Sequence, residues 1–331
     1  MKVTVITTVL NEGQSIGRLL DSLAAQTRPP DEVVIVDGGS TDGPVAILEG
    51  YAADGRLPLR VISCPGTNIS QGRNAAIAAA SGEVSASTDA GVRLDPGWLA
   101  ALLEPFEQAD GATVVSGFFL PDPQTDFETA LGATTLPALE EIAPERFLPS
   151  SRSVAYRKAA AQAVGGYPAW LDYCEDLIFD FKLRERCGPF SFAPRAVAYF
   201  RPRPSLRAFI RQYYRYARGD GKAGLWFRRH LIRYLTYLLA TPLLIARALL
   251  HSPWWGLGFL AGGVFMFGLP FKRLWPMTRN WRFLRRLRTF AWVPVIRLAG
   301  DVAKMAGYPA GVWWRLRHRG GRSWRAGDTK K

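Results

Sequence analysis

The stretch Val33-Val34-Ile35-Val36-Asp37-Gly38-Gly39-Ser40-Thr41-Asp42-Gly43 begins with four β-branched residues and then changes to an aspartate and two glycines. A short apolar run of this kind predicts a strand that is buried on both faces of a sheet. Asp37 therefore stands at the carboxyl end of that strand, and the glycines after it let a ligand or another backbone approach closely. The alternative interpretation is a plain turn into a helix, in which Ser40 and Asp42 are turn or N-cap residues.

Strands and helices alternate through the first hundred residues. The patterns predict strands at 3–9, 33–36, 59–63 and 84–88, and helices at 16–26, 45–52 and 72–80. Strands that are separated by single helices need right-handed crossovers, so we expect an α/β fold with a mostly parallel sheet flanked by helices. Neither a Gly-x-Gly-x-x-Gly turn after the first strand nor a Walker phosphate loop occurs, which argues against a dinucleotide oxidoreductase and a P-loop NTPase.

Two further acidic positions are candidates for the same edge of the sheet as Asp37. Asp89 follows the strand at 84–88, and Glu175 and Asp176 open a run with helical spacing. Acids at a helix start often only complement the helix dipole. Ligands in parallel sheets bind beyond the carboxyl ends of the strands, however, and we expect these acids to converge at that edge.

The charge of the chain is divided between its two parts. Residues 1–200 hold 15 Lys/Arg and 25 Asp/Glu, and residues 201–331 hold 27 Lys/Arg and 3 Asp/Glu, so the net charges are −10 and +24. A basic segment of this strength predicts binding to nucleic acid or to an anionic membrane surface. The three cysteines, Cys64, Cys174 and Cys187, match neither a disulfide framework nor a zinc pattern.

Several motifs in this order resemble family 2 glycosyltransferases, which are inverting enzymes of the GT-A fold that use nucleotide-activated sugars. The resemblance covers roughly the first two-thirds of the chain. The motifs that carry it are Thr7-Thr8-Val9-Leu10-Asn11-Glu12, Val36-Asp37-Gly38-Gly39-Ser40-Thr41-Asp42, Gly72-Arg73-Asn74-Ala75-Ala76, Thr88-Asp89-Ala90-Gly91, Gly165-Gly166-Tyr167 with Glu175-Asp176, and Gln212-Tyr213-Tyr214-Arg215-Tyr216.

The resemblance implies a role for each of these positions. Asp176, beside Glu175, is expected to act as the general base that takes a proton from the acceptor hydroxyl. Asp89 is expected to hold the ribose, a metal ion or both, and Arg73 to face the nucleotide or its diphosphate. The remaining expected donor-binding residues are Thr8, Asn11, Glu12, Asp37, Gln212 and Arg215.

Two departures from the family pattern bear on metal binding. Gly91 and Gly38 stand where the resemblance leads one to expect a second aspartate, and no histidine follows the core domain near residue 200. Mg²⁺ or Mn²⁺ held by Asp89 and the donor phosphates is one possibility, because these ions keep several waters. The other is that Arg211, Arg215 and Arg218, which share one helical face, stabilise the departing diphosphate.

The basic part contains two apolar segments of membrane-spanning length, 231–250 and 253–271. Arg228 and Arg229 precede the pair, Lys272 and Arg273 follow it, and the connection has no lysine or arginine, which predicts a hairpin with both ends cytoplasmic. The short apolar run at the N-terminus meets Asn11-Glu12 too early for a signal peptide, so we also expect the N-terminal part to be cytoplasmic. A re-entrant or interfacial hairpin is the alternative.

The segment from residue 272 onward interleaves arginines with aromatic residues, and then Arg297, Asp301 and Lys304 form a narrow charged stripe on an apolar helix. This pattern predicts a helix that lies in the membrane interface and contacts anionic lipids. Arginine with aromatics also occurs in proteins that bind single-stranded nucleic acid, but the adjacent apolar segments favour lipid and argue against nucleic acid. We expect a GT-A domain at 1–205, a basic interfacial helix at 206–230, the hairpin at 231–271 and this segment at 272–331.

The preferred function is therefore transfer of a sugar from a nucleotide-sugar donor to a lipid-linked or membrane-proximal acceptor at the cytoplasmic face of the cell membrane. A nucleotidyltransferase acting on a sugar phosphate is the first alternative. Such an enzyme needs a glycine-rich phosphate loop after the first strand, and the segment Asn11–Ser15 at this position is not one. An inactive membrane scaffold with the same fold is the second. The segment 121–148, rich in proline, threonine and acids, is expected to be a mobile excursion over the site.

Overall fold

A computed structural model of the chain describes residues 1–108 and 111–318. From the N-terminus the elements are β1 (Val3–Val9), α1 (Ile16–Ala24), β2 (Glu32–Asp37), α2 (Pro44–Ala53), β3 (Leu59–Ser63), α3 (Ile69–Ala79), β4 (Val84–Ser87), β5 (Val92–Leu94), α4 (Trp98–Leu103), β6 (Val114–Pro121) and α5 (Asp126–Thr135). They continue with β7 (Val154–Arg157), α6 (Lys158–Ala163), α7 (Glu175–Cys187), β8 (Ser191–Phe200), α8 (Leu206–Ala223), α9 (Phe227–Leu235), α10 (Thr241–Leu250), α11 (Leu257–Thr278) and α12 (Phe283–Arg317).

The chain divides into two compact units. The first consists of residues 1–122 and 139–201, and the second of residues 123–138 and the chain from Pro202 onward. The boundary near residue 201 lies close to the expected one at 205. The segment Pro123–Ala138, which falls inside the expected catalytic domain, belongs to the second unit.

All eight strands lie in the first unit and form one mixed sheet in the order β3-β2-β1-β4-β7-β6-β8-β5. β1 pairs in parallel with β2 and β4, and β2 pairs in parallel with β3. β7 joins this parallel half antiparallel to β4 and connects it to β6. The predicted mostly parallel α/β sheet is therefore confirmed, and the carboxyl ends of β1, β2 and β4 lie next to one another.

Side chains alternate between the two faces of the sheet along each strand, and helices cover both faces. Val3 and Val5 of β1 pack with the apolar face of α1, which includes Leu19 and Leu23. Ile6, on the other face, shares a core with the alanine-rich side of α3 and with Phe179 and Leu183 of α7. Burial on both faces is why these strands are β-branched runs rather than alternating ones.

The second unit is helical and is built around the pair α8 and α12. Glycines on α12 let the two backbones approach: a Cβ built on Gly307 would overlap the carbonyl oxygen of Tyr214, and one on Gly311 would overlap that of Arg218. α5 packs into the same unit, where Ala130 and Leu131 share a core with Phe209 and Ile296. The segment expected to be a mobile excursion thus contains a packed helix.

Two residues of the charged stripe on α12, Asp301 and Lys304, face the interior of this unit, whereas the Arg297 side chain is 40% exposed. Asp301 is buried and accepts hydrogen bonds from Arg233 Nε at 2.7 Å and from Tyr237 Oη at 3.0 Å. Lys304 Nζ lies 4.8 Å from the centre of the Tyr213 ring, and burial lowers the pKa of Lys304 to about 8. The interpretation of the stripe as a face exposed in the membrane interface is therefore wrong for these residues. The expected basic tail beyond residue 318 lies outside the described residues.

Two helices of the second unit are long and apolar enough to cross a membrane by length and composition. They span Phe227–Leu250 and Pro253–Thr278, with mean hydropathy 1.3 and 1.4. A π-helical turn at Thr236–Ala240 joins α9 to α10 in the first of them. The expected interfacial helix at 206–230 is interrupted at Trp226, whose φ of 58° separates α8 from α9.

Candidate active site

The loop after β2 is held by the aspartate that ends the strand. Asp37 is buried, and its Oδ2 accepts hydrogen bonds from the backbone nitrogens of Gly39 at 3.0 Å and Ser40 at 3.2 Å. Gly39 has a φ of 98°, and a Cβ there would lie 3.2 Å from Pro65 Cα. The carboxylate therefore fixes a tight turn whose conformation and close packing require glycine.

The loop after β1 is tied to the loop after β2. Asn11 has a φ of 56°, and its Oδ1 accepts a hydrogen bond from Thr41 N at 2.9 Å while its own N donates to Ser40 Oγ at 2.9 Å. Thr8, near the end of β1, packs against α3 so closely that a Cβ on Gly72 would lie 2.8 Å from Thr8 Cγ2. Three of the expected donor-binding residues, Thr8, Asn11 and Asp37, thus line neighbouring loops at one edge of the sheet.

Glu12 follows in the same loop and turns toward the end of β4. Its Oε2 accepts a hydrogen bond from the Ser15 hydroxyl, and a Cβ built on Gly91 would lie 3.6 Å from that oxygen. Glu12 is therefore a neighbour of the segment that carries Asp89. The first unit brings the expected residues of β1, β2 and β4 to the same edge.

Arg73 connects this edge to the start of α7. Its side chain is 3% exposed, Nη2 donates to Asp89 Oδ1 at 2.8 Å, and Nη1 donates to Glu175 Oε1 at 2.7 Å. Burial by itself would lower the pKa of Arg73, but the carboxylates of Asp89 and Glu175 raise it, so the guanidinium stays charged. The expected ligand of the diphosphate is instead buried beneath the site and binds two of its acids.

A second arginine contacts the other oxygen of Asp89; the pattern around it, Ser151-Arg152-Ser153, is compatible with an acceptor contact or with a turn. Arg152 Nε lies 3.3 Å from Asp89 Oδ2, and its guanidinium carbon lies 4.5 Å from the centre of the Phe200 ring. The Arg152 side chain is 23% exposed and that of Asp89 is 30% exposed. The sequence signal was an arginine between two serines just before β7, but its partner is remote in the chain.

The acids at the start of α7 have raised pKa values. Burial raises the pKa of Glu175 to about 7, the charge of Asp176 adds to this rise, and Arg73 opposes it. Burial likewise raises the pKa of Asp176, whose Oδ1 accepts a hydrogen bond from Leu177 N at 2.9 Å. A carboxylate with a raised pKa is a stronger base, so this pair is suited to proton abstraction near neutral pH.

A tyrosine and a third acid lie behind this pair: Tyr167 belongs to the Gly-Gly-Tyr motif of the sequence, whereas Asp180 was not predicted. Burial raises the pKa of Asp180 well above its ordinary range, and the charge of Asp176 adds to this rise. Tyr167 is buried, stacks on Phe179 at 4.0 Å between ring centres, and contacts Ser151 Oγ through its hydroxyl at 3.1 Å. Tyr167 therefore supports the site from within the core, and the Gly-Gly-Tyr segment is a packing feature.

Gln212 and Arg215 lie on α8, in the second unit. Gln212 Nε2 donates to Tyr216 Oη at 2.7 Å. Arg215 is exposed on the same helix. The structure therefore brings Asp89, Arg73, Glu175 and Asp176 together within the first unit, whereas these two residues remain expectations from the sequence.

A divalent cation does not fit the residues around Asp89. Both carboxylate oxygens of Asp89 contact guanidinium groups, and the second acid of the expected motif is Gly91. Within residues 1–108 and 111–318, no group of three or more His, Cys, Asp and Glu side chains is arranged to hold a metal ion. Mg²⁺ is usually held by one or two carboxylates together with substrate phosphates and waters, and the carboxylate expected to hold the ion here is already paired with two arginines.

Comparison with known proteins identifies similar chains. Residues 4–162 match the family described as Glycosyl transferase family 2. An uncharacterized glycosyltransferase of Nostoc sp. is 36% identical over 115 residues, which cover 33% of this chain and 34% of that protein. The match thus spans about a third of the length of the curated relative.

Two solved structures resemble the chain over nearly its whole length. The mannosyltransferase PcManGT from Pyrobaculum calidifontis, in complex with GDP-Man and Mn²⁺, has a TM-score of 0.57 and 20% identity, and the match covers 96% of this chain and 88% of that one. Residues 1–349 of S. aureus TarS, in complex with UDP-GlcNAc, have a TM-score of 0.51 and 20% identity, and the match covers 98% of this chain and 93% of that one. At these identities the likeness shows the fold, and the predicted GT-A architecture is confirmed.

Proposed function

We propose, from the match of residues 4–162 to glycosyl transferase family 2, that the protein transfers a sugar from a nucleotide-sugar donor to a hydroxyl of a lipid-linked or membrane-proximal acceptor. The transfer inverts the configuration at the anomeric carbon. The observation that carries this proposal is the linked set Asp89, Arg73 and Glu175, with Asp176 beside it, at the carboxyl edge of the sheet. Ligands of α/β sheets bind at this edge. The complexes of similar folds with GDP-Man and UDP-GlcNAc support a nucleotide-sugar as the donor class.

The loops after β1 and β2 form the donor side of the site. Asn11 and Asp37 hold the two loops in fixed conformations, so backbone groups and the side chains of Thr8 and Glu12 are positioned in advance for the nucleoside. Such prior positioning lowers the entropic cost of binding. Gln212 and Arg215 are proposed as further donor contacts on the strength of the sequence resemblance.

Asp176 is proposed to act as the general base. It takes the proton of the acceptor hydroxyl as that oxygen forms its bond to the anomeric carbon, and the bond from this carbon to the nucleoside diphosphate breaks at the same time. A single displacement of this kind inverts the configuration. Burial raises the pKa of Asp176, which Arg73 and Arg152 oppose, and the adjacent Glu175 contacts Arg73.

A divalent cation has no assigned step in this mechanism. PcManGT contains Mn²⁺ with its donor. In the present chain the expected metal ligand, Asp89, contacts Arg73 and Arg152 through its two oxygens. The residues around it therefore do not fit such an ion.

The second unit supports a location at the membrane. Its two long apolar helices carry large side chains that are mostly exposed, such as Leu249 and Phe265. Beside them, Arg285 lies over the Trp281 ring at 3.8 Å and Arg286 over Trp275 at 4.8 Å. Arginine stacked on tryptophan suits the boundary between lipid tails and anionic head groups, so we propose anionic lipids as partners and a cytoplasmic catalytic domain.

The proposal is tested by a donor screen on membranes that contain the full chain, with lipid extract as the acceptor source. We expect one nucleotide-sugar to be consumed with release of a nucleoside diphosphate, whereas a nucleotidyltransferase would release pyrophosphate. Asp176→Asn should lower turnover by about 10²–10⁴-fold, the usual contribution of a general base, while nucleotide binding stays near that of the wild type. Asp54→Asn on the exposed surface is the matched control. Full activity of Asp176→Asn would refute the base assignment.

A further inference from the structure

The carboxylate of Asp89 is shared by two arginines that differ in their surroundings. Arg73 is 3% exposed and also contacts Glu175, so it is held from two sides. Arg152 is 23% exposed, and its Nε lies 3.3 Å from Asp89 Oδ2. Of the two cations, Arg152 is therefore the one that an incoming anion can reach.

The backbone on either side of Arg152 is firmly anchored. Ser153 Oγ donates to the Ala196 carbonyl at 2.8 Å and accepts from Trp98 Nε1 at 2.8 Å. Ser151 Oγ contacts the Tyr167 hydroxyl at 3.1 Å, and both serines are buried. The position of the Arg152 backbone is thus fixed by the core.

An aromatic surface orients the Arg152 guanidinium. Its carbon lies 4.5 Å from the centre of the Phe200 ring and 6.0 Å from that of Phe119, and its Nη1 donates to Ser150 Oγ at 3.1 Å. Stacking holds the guanidinium plane while leaving its edges to make hydrogen bonds. A planar group that is held in this way matches a phosphate through two parallel hydrogen bonds.

We infer that Arg152 binds the diphosphate of the donor and supplies the positive charge that stabilises the departing nucleoside diphosphate, so that transfer needs no divalent cation. The inference rests on the proposed function. Asp89 serves as the alternative partner that keeps Arg152 at the site before the donor arrives. Near it Gly91 has no side chain that could repel the phosphates, and the described residues supply no set of ligands for a metal ion.

The experiment measures binding of UDP, GDP, uridine and guanosine to the purified full chain by calorimetry, with EDTA and separately with Mn²⁺. We expect one of the diphosphates to bind equally well in both conditions. Arg152→Gln should weaken that diphosphate about tenfold to a hundredfold, as expected for charge-assisted hydrogen bonds, and leave the matching nucleoside unchanged. The affinity of Arg152→Lys for the diphosphate should lie between those of the wild type and Arg152→Gln, since lysine keeps the charge without the planar pair of donors.

The control is Arg195→Gln, which removes a surface arginine that is 77% exposed in the same unit and should change nothing. If the wild type binds the diphosphate in Mn²⁺ but not in EDTA, the inference is overturned, whether or not Arg152→Gln folds. Equal diphosphate affinity in Arg152→Gln and the wild type would overturn it while leaving the proposed function intact. If the wild type binds neither diphosphate and consumes no nucleotide-sugar, the proposed function itself fails and the inference with it.

Discussion

Arg73 and Glu175 are separated by 102 positions in the chain, and their side chains meet at 2.7 Å between Nη1 and Oε1. The same guanidinium reaches Asp89, so one buried cation joins α3, the end of β4 and the start of α7. A buried ion pair of this kind adds little net stability compared with apolar residues, but it is costly to break from one side. Its value here is that it fixes the positions of two acids.

We therefore expect Arg73→Gln to destabilise the protein by about 3–5 kcal/mol, because the buried carboxylate of Glu175 loses its partner and the partly exposed carboxylate of Asp89 loses one of two. The measurement is the free energy of unfolding from denaturant titration, followed by the circular dichroism of the first unit's sheet. Arg56→Gln, which removes an exposed arginine paired with Asp54, is the control and should have little effect. A loss below about 1 kcal/mol in Arg73→Gln would show that the acids do not depend on this arginine.

The acids of α7 predict an unusual pH dependence of catalysis. Burial and the proximity of Asp176 raise the pKa of Glu175 to about 7, and burial raises that of Asp176. The base works in its deprotonated form, so the acidic limb of kcat/KM should lie above the ordinary pH range of a carboxylate.

The check is a profile of kcat/KM from about pH 5 to 9, across the range in which this coupled pair titrates. Glu175→Gln removes the neighbouring negative charge, so the acidic limb should move to lower pH in that variant. Asp54→Asn should leave the profile unchanged, since it is a surface acid. An acidic limb near pH 4 in the wild type would contradict the prediction.

The glycines of α12 predict a sharp steric limit in the second unit. Gly307→Ala places a methyl group on the backbone carbonyl of Tyr214, so we expect destabilisation of about 1–3 kcal/mol from overpacking. Gly262→Ala in α11 is the control, because a Cβ there meets nothing within 4 Å. Thermal unfolding in detergent measures both variants, and equal melting temperatures would contradict the close packing of α8 and α12.

The two apolar helices predict the side of the membrane on which their connection lies. In a chain whose three native cysteines are serine, Ser252→Cys should react with an impermeant maleimide from outside intact cells. Glu49→Cys on the surface of the first unit should react only after the cells are opened. Reaction of Ser252→Cys only after opening would favour the re-entrant or interfacial hairpin.

The alternating strands and helices of the first hundred residues were predictable because the sequence patterns that specify them are local. The β-branched run before Asp37 gives β2, and Ile16, Leu19 and Leu23 at helical spacing give the apolar face of α1. Their boundaries agree with the structure within a few residues. The convergence of Asp89 with Glu175 and Asp176 was predicted, whereas Arg73 as the common partner of Asp89 and Glu175 was not.

The missed features depend on contacts that no local pattern reveals. Arg152 meets Asp89, and Asp301 meets Arg233, only because distant segments fold together. α5 did carry a local signal, since Thr125 Oγ1 accepts from Glu128 N at 3.2 Å, in a capping motif of the type Thr-x-x-Glu. Its threonines and glycine have low helix propensity, so the helix owes its stability to packing in the second unit.

The interrupted path of the chain limits how the protein can be divided for laboratory work. Because Pro123–Ala138 belongs to the helical unit although it interrupts the catalytic sequence, a truncation after Arg201 would keep α5 while removing the helices on which it packs. The orphaned apolar face, with Ala130 and Leu131, would then be open to self-association. A soluble catalytic fragment would need a short engineered bridge from Asp122 to Leu139 as well as the new terminus.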